Sequence, residues 1–289
     1  MPQDSNKPSK TVLITGCSSG IGRATAERLV GAGWTVYATA RRTDALSGLA
    51  AKGCRTLSLD VEDEGSMKRA VETIERAEGA VGVLINNAGY SQSGAVESVS
   101  MDKVRRQFET NVFGLVRLTQ LVLPGMRAQR WGKVINLSSM GGRFTFPGGG
   151  FYHATKHAIE AISDALRFEV RGFGVDVVVI EPGLIKTDFG NAAVSNMKGV
   201  PKEEGPYAEF NATVAKTTKE VYEKGPLAML GGDADAVAKV IQKAISVSRP
   251  KARYTVTASA KILLAQRQLM SDGVWDAFLR TQFPQPGKR

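Results

Sequence analysis

Tyr152 and Lys156 stand four residues apart in the run Tyr152-His153-Ala154-Thr155-Lys156. On a helix, that spacing puts both side chains on one face. A phenol ordinarily titrates near 10 and is a poor base at neutral pH. An ammonium about 4 Å away, at an effective dielectric near 20, favours the phenolate by roughly 4 kcal/mol, or about three pKa units. The spacing therefore predicts a Tyr152 poised near neutrality. Such a group can give a proton to a carbonyl oxygen or take one from an alcohol. The same spacing arises by chance in many helices, so its setting has to carry the argument.

A second group of residues suits phosphate binding. Thr15-Gly16-Cys17-Ser18-Ser19-Gly20-Ile21-Gly22 follows an apolar, β-branched run and opens a helical pattern. Gly16, Gly20 and Gly22 suit a sharp turn whose backbone must approach a pyrophosphate without a Cβ in the way. Ser18, Ser19 and Ile21 lie beside them, where the helix start offers free N–H groups and about half a positive charge. The next apolar run ends in Tyr37-Ala38-Thr39-Ala40-Arg41-Arg42. An NAD site places an acid about 20 residues after the glycines to hold the ribose 2′-hydroxyl, and an NADP site places an arginine nearby for the 2′-phosphate. Here the acid is absent and two arginines follow. The pattern predicts NADP(H) in preference to NAD(H), read mainly by Arg41 with help from Arg42.

These residues need a scaffold that brings residue 16 near residue 152. Thr11–Thr15, Thr35–Ala40, Thr56–Leu59, Val83–Asn86, Lys133–Leu137 and Val175–Ile180 read as short apolar strands, with another at Tyr254–Thr257. Continuous apolar runs suit a parallel sheet buried on both faces. Helical patterns lie between them, at Ile21–Ala32, Glu64–Ala77, the long Met101–Arg130 and Tyr152–Gly172. The alternation predicts an α/β fold, a single-domain Rossmann arrangement with a doubly wound parallel sheet flanked by helices. Residues 1–9 are expected to be a disordered tail before a domain spanning 10–289. Between Thr187 and Gly232 glycines and prolines break the rhythm around one helical stretch, Tyr207–Tyr222. An insertion of that kind is expected to act as a substrate lid. A helix near Asp233–Val247 follows, and one amphipathic extension, Ala258–Phe283, ends the chain.

In this setting the sequence resembles the short-chain dehydrogenase/reductase family across nearly all of residues 10–190. The carriers of the resemblance are Thr15–Gly22, Asn86-Asn87-Ala88-Gly89, the Tyr152/Lys156 pair and Pro182-Gly183. The resemblance implies that Asp60, with Val61 beside it, contacts the adenine end. It implies that Asn87, Ala88, Gly89, Pro182 and Gly183 line the cofactor and that Thr187 touches the nicotinamide carboxamide. The resemblance places the catalytic serine thirteen residues before Tyr152, which selects Ser139 over Ser138, and since neighbouring strand residues face opposite ways only one of the two should point into the site. By the same resemblance Ser139 binds the substrate oxygen and Tyr152 exchanges its proton. Lys156 lowers the Tyr152 pKa and holds the nicotinamide ribose, and Asn111 positions a water that links Lys156 to solvent. A homodimer or homotetramer is implied as well, with apolar stripes on Met101–Arg130 and Tyr152–Gly172 available for pairing. The Gly-Cys-Ser-Ser-Gly-Ile-Gly segment, the Thr-Ala-Arg after the second strand and the extended C-terminus look like the hydroxysteroid and retinol dehydrogenase branch.

Composition removes other classes. The 289 residues carry a net charge of +10, but Lys and Arg are spread along the chain and no nucleic-acid motif accompanies them. The two cysteines, Cys17 and Cys54, and the two histidines, His153 and His157, have no metal-ligand spacing. Both histidines read as packing or surface residues. No apolar run approaches the roughly 20 residues of a membrane span, and Met1–Lys10 has no apolar signal-peptide stretch, so the chain reads as cytoplasmic. The expected function is NADP(H)-dependent interconversion of a secondary alcohol and a ketone or aldehyde on a small, apolar molecule. Met140, Phe144, Phe146, Phe151, Phe189, Met197 and Phe210 are candidates for its pocket, with Arg143 left for an acidic group. The alternative is a non-catalytic NADP(H)-binding sensor or scaffold on the same fold. Such a protein commonly lacks the Tyr or the Lys, and both are present here.

Overall fold

The computed structural model describes residues 9–223 and 226–287. Seven strands form one parallel sheet: β1 (Thr11–Ile14), β2 (Thr35–Ala40), β3 (Arg55–Ser58), β4 (Val83–Asn86), β5 (Gly132–Leu137), β6 (Val175–Pro182) and, last in sequence, β9 (Arg253–Val256). Their order is β3-β2-β1-β4-β5-β6-β9, so the winding direction reverses between β1 and β4. Register is set by pairs such as Leu13 with Tyr37 on one side and Leu84 on the other. Successive strand residues face opposite ways. Val12 and Ile14 therefore join Val83, Ile85, Ile135 and Val178 under the helices Gly20–Gly31 and Ala234–Ser246. Leu13 joins Leu84, Val134 and Val177 under Glu64–Glu78 and Gly114–Ala128. The two buried faces account for the unbroken apolar strands of the sequence.

The strand and helix positions expected from the sequence hold to within a few residues, with three differences. The first is the stretch Met101–Arg130, expected as one helix. It is an α-helix over Met101–Phe108, a π turn over Glu109–Phe113 and a second α-helix over Gly114–Ala128. The wider turn carries Asn111, whose amide bonds both backbone groups of Tyr90. Such π bulges occur often at functional sites. The second is the C-terminal extension, which is two helices, Ala258–Leu269 and Asp272–Arg280. Between them Arg267 donates to the Met270 carbonyl (3.0 Å) and pairs with Asp272 (2.5 Å). The turn folds Trp275 back onto Phe144 and Phe146.

The third difference concerns residues 187–232, of which 224 and 225 lie outside the described residues. The segment holds a helix over Phe189–Asn196, one over Ala208–Glu223 and a short one over Pro226–Met229. Its two ends meet: β7 (Ile185–Lys186) pairs in parallel with β8 (Gly232–Asp233). The expected disordered tail lies outside the described residues except for Ser9. That residue is fixed, its N–H donating to Gln129 Oε1 at 3.2 Å.

Candidate active site

A parallel sheet leaves a crevice beyond the carboxyl ends of its strands where the winding reverses. Here that point lies between β1 and β4, and a cavity of about 960 Å³ opens over it. The loops after β1 and β4 are tied together. Thr15 Oγ1 accepts from the N–H groups of Asn87 (3.0 Å) and Ala88 (2.9 Å), and Asn87 Nδ2 donates to the carbonyls of Thr15 (2.9 Å) and Gly16 (3.0 Å). Gly16 has φ +72°, a conformation side chains rarely adopt. A Cβ on Gly22 would lie 2.4 Å from the Gly16 carbonyl oxygen and 2.5 Å from Asn87 Nδ2. Gly22 thus lets the helix pack against the loop and does not itself border the cavity.

The first turn of Gly20–Gly31 has no side-chain cap and no acid. Its N–H groups and dipole suit an anion at the cavity floor. Gly16, Ser18, Ser19, Gly20 and Ile21 border the cavity, as do Asn87, Ala88 and Gly89. At one end stand Asp60, Val61 and Arg41, and at the other Pro182, Gly183 and Thr187. The set matches a dinucleotide's needs: a backbone cradle for the phosphates, a carboxylate toward a base and a guanidinium near a ribose phosphate. Arg42 does not belong to it. It points to solvent, 81% exposed, with only a loose 3.8 Å approach to Asp44.

Beyond the cradle the cavity meets Ser139, Tyr152 and Lys156. Ser139 lies two residues beyond the end of β5, and its Oγ accepts from the Gly141 N–H at 3.1 Å. Ser138 also borders the cavity, but its side chain is buried and lies toward Gly142 and Glu160. Tyr152 and Lys156 are one turn apart on Gly150–Val170. The Lys156 ammonium donates to the Leu137 carbonyl at 2.7 Å and lies 5.7 Å from the centre of the Tyr152 ring. Electrostatics here differ from the expectation of a tyrosine near neutrality. Burial pushes Tyr152 up to about 12, against a smaller opposing effect of a hydrogen bond with Ser139. Burial also pulls Lys156 down to about 8, partly offset by the Glu160 carboxylate. Desolvation sets both values, and the ammonium is held by the Leu137 carbonyl at 2.7 Å. Tyr152 is therefore a protonated acid at neutral pH.

Asn111 does not border the cavity and is 1% exposed. Its Oδ1 accepts from the Tyr90 N–H (3.0 Å), and its Nδ2 donates to the Tyr90 carbonyl (2.9 Å) and to Thr155 Oγ1 (3.1 Å). With its amide engaged in this way, the side chain acts as a brace between the loop after β4 and the catalytic helix. His153 is a packing residue: Nδ1 donates to the Gly141 carbonyl at 2.9 Å, and burial pulls its pKa down to about 4. Arg143 is bound to Glu181 at 3.3 Å and lies outside the main cavity, so it is not free for an acidic substrate group.

Of the apolar candidates, Met140, Phe144, Phe146 and Phe189 border the cavity. Phe151, Met197 and Phe210 pack behind its wall with Val200, against Val214, which borders the cavity. Sequence reasoning missed Leu263 and Phe278 from the C-terminal helices, Phe283 just beyond them, and Tyr222 from Ala208–Glu223. Helical periodicity in that last segment was the available signal. Among the described residues there is no cluster of three or more metal-ligating side chains, and no helix is long and apolar enough to cross a membrane.

Comparison with known proteins agrees with this geometry. The short chain dehydrogenase family model matches residues 10–198. The NADPH-dependent 3-dehydrocapnine reductase of Ornithobacterium rhinotracheale is 37% identical over 91% of this chain and 94% of its own. The 3-ketodihydrosphingosine reductase of Bacteroides thetaiotaomicron is 42% identical over 65% of this chain and 69% of its own. Among solved structures, a short-chain dehydrogenase from Streptomyces avermitilis superposes with a TM-score of 0.78 at 35% identity, covering 95% of this chain and 96% of that one.

Proposed function

The chain belongs to the short-chain dehydrogenase family and is an oxidoreductase, and from that premise we propose that it uses NADPH to reduce a ketone on a largely apolar small molecule. The observation that carries this reading is the single cavity joining the Gly16–Gly22 cradle to Ser139, Tyr152 and Lys156. Bound NADPH supplies the hydride. The helix start at Gly20 holds the diphosphate, Arg41 the 2′-phosphate and Asp60 the adenine end. Ser139 donates a hydrogen bond to the substrate oxygen, and Tyr152 gives that oxygen its proton. A Tyr152 held at about 12 by burial keeps that proton until charge develops on the oxygen, which suits the reducing direction. Lys156 lies under the ring, where its ammonium stabilises the phenolate left behind. Phe144, Phe146, Leu263 and Phe278 give the substrate end its apolar wall. Two relatives carry names of reductases acting on 3-dehydrocapnine and 3-ketodihydrosphingosine, which supports a carbonyl substrate and the same direction.

The test is NADPH oxidation by purified protein across steroids, retinoids, quinones, short ketones and long-chain ketones, repeated with Tyr152→Phe. Loss of a positioned acid should slow turnover by about 10²–10⁴-fold, with NADPH affinity within a few fold of wild type. Near-normal single-turnover hydride transfer in Tyr152→Phe would remove Tyr152 from the mechanism. A homo-oligomer belongs to the same proposal. Phe168 (89% exposed) and Phe113 (54% exposed) present apolar surface on the two long helical segments expected to pair. A light-scattering mass of one chain, 30.9 kDa, would refute it.

A further inference from the structure

The catalytic helix Gly150–Val170 carries a buried acid to which the reaction gives no part. Glu160 stands one turn beyond Lys156, where residues four apart are neighbours on one face. Its side chain is only 8% exposed and does not border the cavity. Gly142 marks how closely the parts meet. A Cβ there would lie 3.0 Å from Glu160 Cγ, 3.1 Å from the Lys156 carbonyl oxygen and 2.6 Å from Ser138 Oγ. Glu160, Ser138 and the Lys156 backbone thus converge on one glycine behind the catalytic centre.

The two carboxylate oxygens of Glu160 differ in their surroundings. Oε2 accepts from Arg253 Nε, on β9, at 2.9 Å. Oε1 is buried with no partner among the described residues, as is the Ser138 hydroxyl. A buried carboxylate is unfavourable unless opposite charge lies close. Arg253 supplies part of that charge but is shared, since Nη2 donates to Asp164 at 2.7 Å and Glu181 lies 3.6 Å from Nε. Glu181 is itself held by Arg143 at 3.3 Å and Thr255 at 2.6 Å.

Lys156 has the complementary need. Its ammonium donates to the neutral Leu137 carbonyl at 2.7 Å, and the Asn111 amide across Gly89 is neutral too. On its own helix Tyr152 is protonated, and burial keeps His153 neutral at about 4. Glu160 is the one carboxylate among the described residues whose charge acts on Lys156. It opposes the larger effect of burial, which leaves the ammonium at about 8.

We propose that Glu160 is a positioning residue for the reaction, its carboxylate fixed by Arg253 as the counter-ion of the Lys156 ammonium beneath Tyr152. The proposal rests on the reading of that ammonium as the charge that stabilises the Tyr152 phenolate. Glu160 touches neither substrate nor cofactor and acts through Lys156 alone.

The experiment follows Lys156 directly, by ¹³C NMR titration of labelled lysines in the whole protein, with the resonance assigned by Lys156→Arg. Glu160→Gln keeps an acceptor for Arg253 and removes the charge. It should lower the Lys156 midpoint by about one pH unit, a tenfold change in the proton equilibrium. Asp164→Asn loosens the same arginine but spares the Glu160 charge, and should leave the midpoint in place. If Glu160→Gln does not fold, Glu160→Met removes the charge at similar volume and should move the midpoint the same way. A midpoint unchanged without the Glu160 charge, or shifted equally in Asp164→Asn, overturns the proposal. The alkaline limb of kcat/KM for NADPH-dependent ketone reduction should fall together with the midpoint. A midpoint that moves while the limb stays would remove the Lys156 charge from the reaction, and the proposal falls with it. A wild type that reduces no ketone sinks the reading of the reaction, and the titration still decides the counter-ion.

Discussion

The cofactor end and the substrate end of the cavity are built by different means. The cofactor end is made of backbone: two loops tied by Thr15 and Asn87, glycines where a Cβ would collide, and a helix start aimed at the phosphates. The substrate end is made of side chains from segments distant in sequence. Phe144 and Phe146 follow β5, Phe189 and Tyr222 come from the segment between β7 and β8, and Phe278 comes from the last helix, where Trp275 packs behind the wall. A backbone cradle admits few sequences because its geometry is fixed by sterics and by obligatory hydrogen bonds. An aromatic wall admits many, because any set of side chains with suitable volume can form it. The first end is therefore common to proteins handling the same cofactor, and the second is where substrate preference can vary.

Trp275→Ala should give the largest effect that separates the two ends. The side chain is 5% exposed and packs on Phe144, Phe146 and Phe278, with Arg267 over its ring. Truncating such a residue costs about 3–5 kcal/mol. Urea unfolding should record the loss and KM should rise, while NADPH affinity stays within about twofold. A parallel fall in NADPH affinity would mean that the two ends are one cooperative unit.

His153 sits where the ends join and should impose a pH dependence on stability. Its folded pKa, about 4, lies below the ordinary value of 6.5 because burial opposes the charged ring. The unfolded chain then binds the extra proton first as pH falls. Stability is complete above about 6.5 and declines toward pH 4, by about 3 kcal/mol at most for a shift of this size. Urea midpoints at pH 7 and pH 4.5 should diverge in wild type and converge in His153→Gln, which keeps a donor for the Gly141 carbonyl. An equal divergence in both proteins would place the acid sensitivity elsewhere.

The smallest effect expected is confined to the cofactor end. Arg41→Ala should lower the preference for NADPH over NADH by about 30-fold, the range of a hydrogen bond to a charged group. Arg42→Ala should change it little, since that side chain is 81% exposed and away from the cavity. Titrations of both cofactors into both variants check the pair. Equal effects at the two positions would show that general positive charge, and not one placed guanidinium, sets the preference.

Much of the fold was legible because each strand carries its burial in its own residues. Val83–Asn86 is apolar throughout since helices cover both faces of the sheet, and its limits matched. The break in Met101–Arg130 was not legible. In the π turn Asn111 reaches Tyr90 and Thr155, contacts that local propensity does not encode. The turn before Trp275 was hidden for a similar reason, since it is fixed by where Phe144 and Phe146 lie.

Sequence by itself determined the doubly wound sheet, the glycine cradle and the Tyr152/Lys156 spacing. All of these follow from short-range rules: side-chain periodicity, the conformations open to glycine and the alternation of strand faces. Tertiary structure alone decided that Arg41 faces the cavity while Arg42 does not, and that Arg143 is held by Glu181. It also decided that one face of the helix Ala208–Glu223, with Val214, Thr218 and Tyr222, borders the cavity and that burial pushes Tyr152 up to about 12. Orientation and desolvation depend on what packs against a residue from elsewhere in the chain, and no local spacing contains that information.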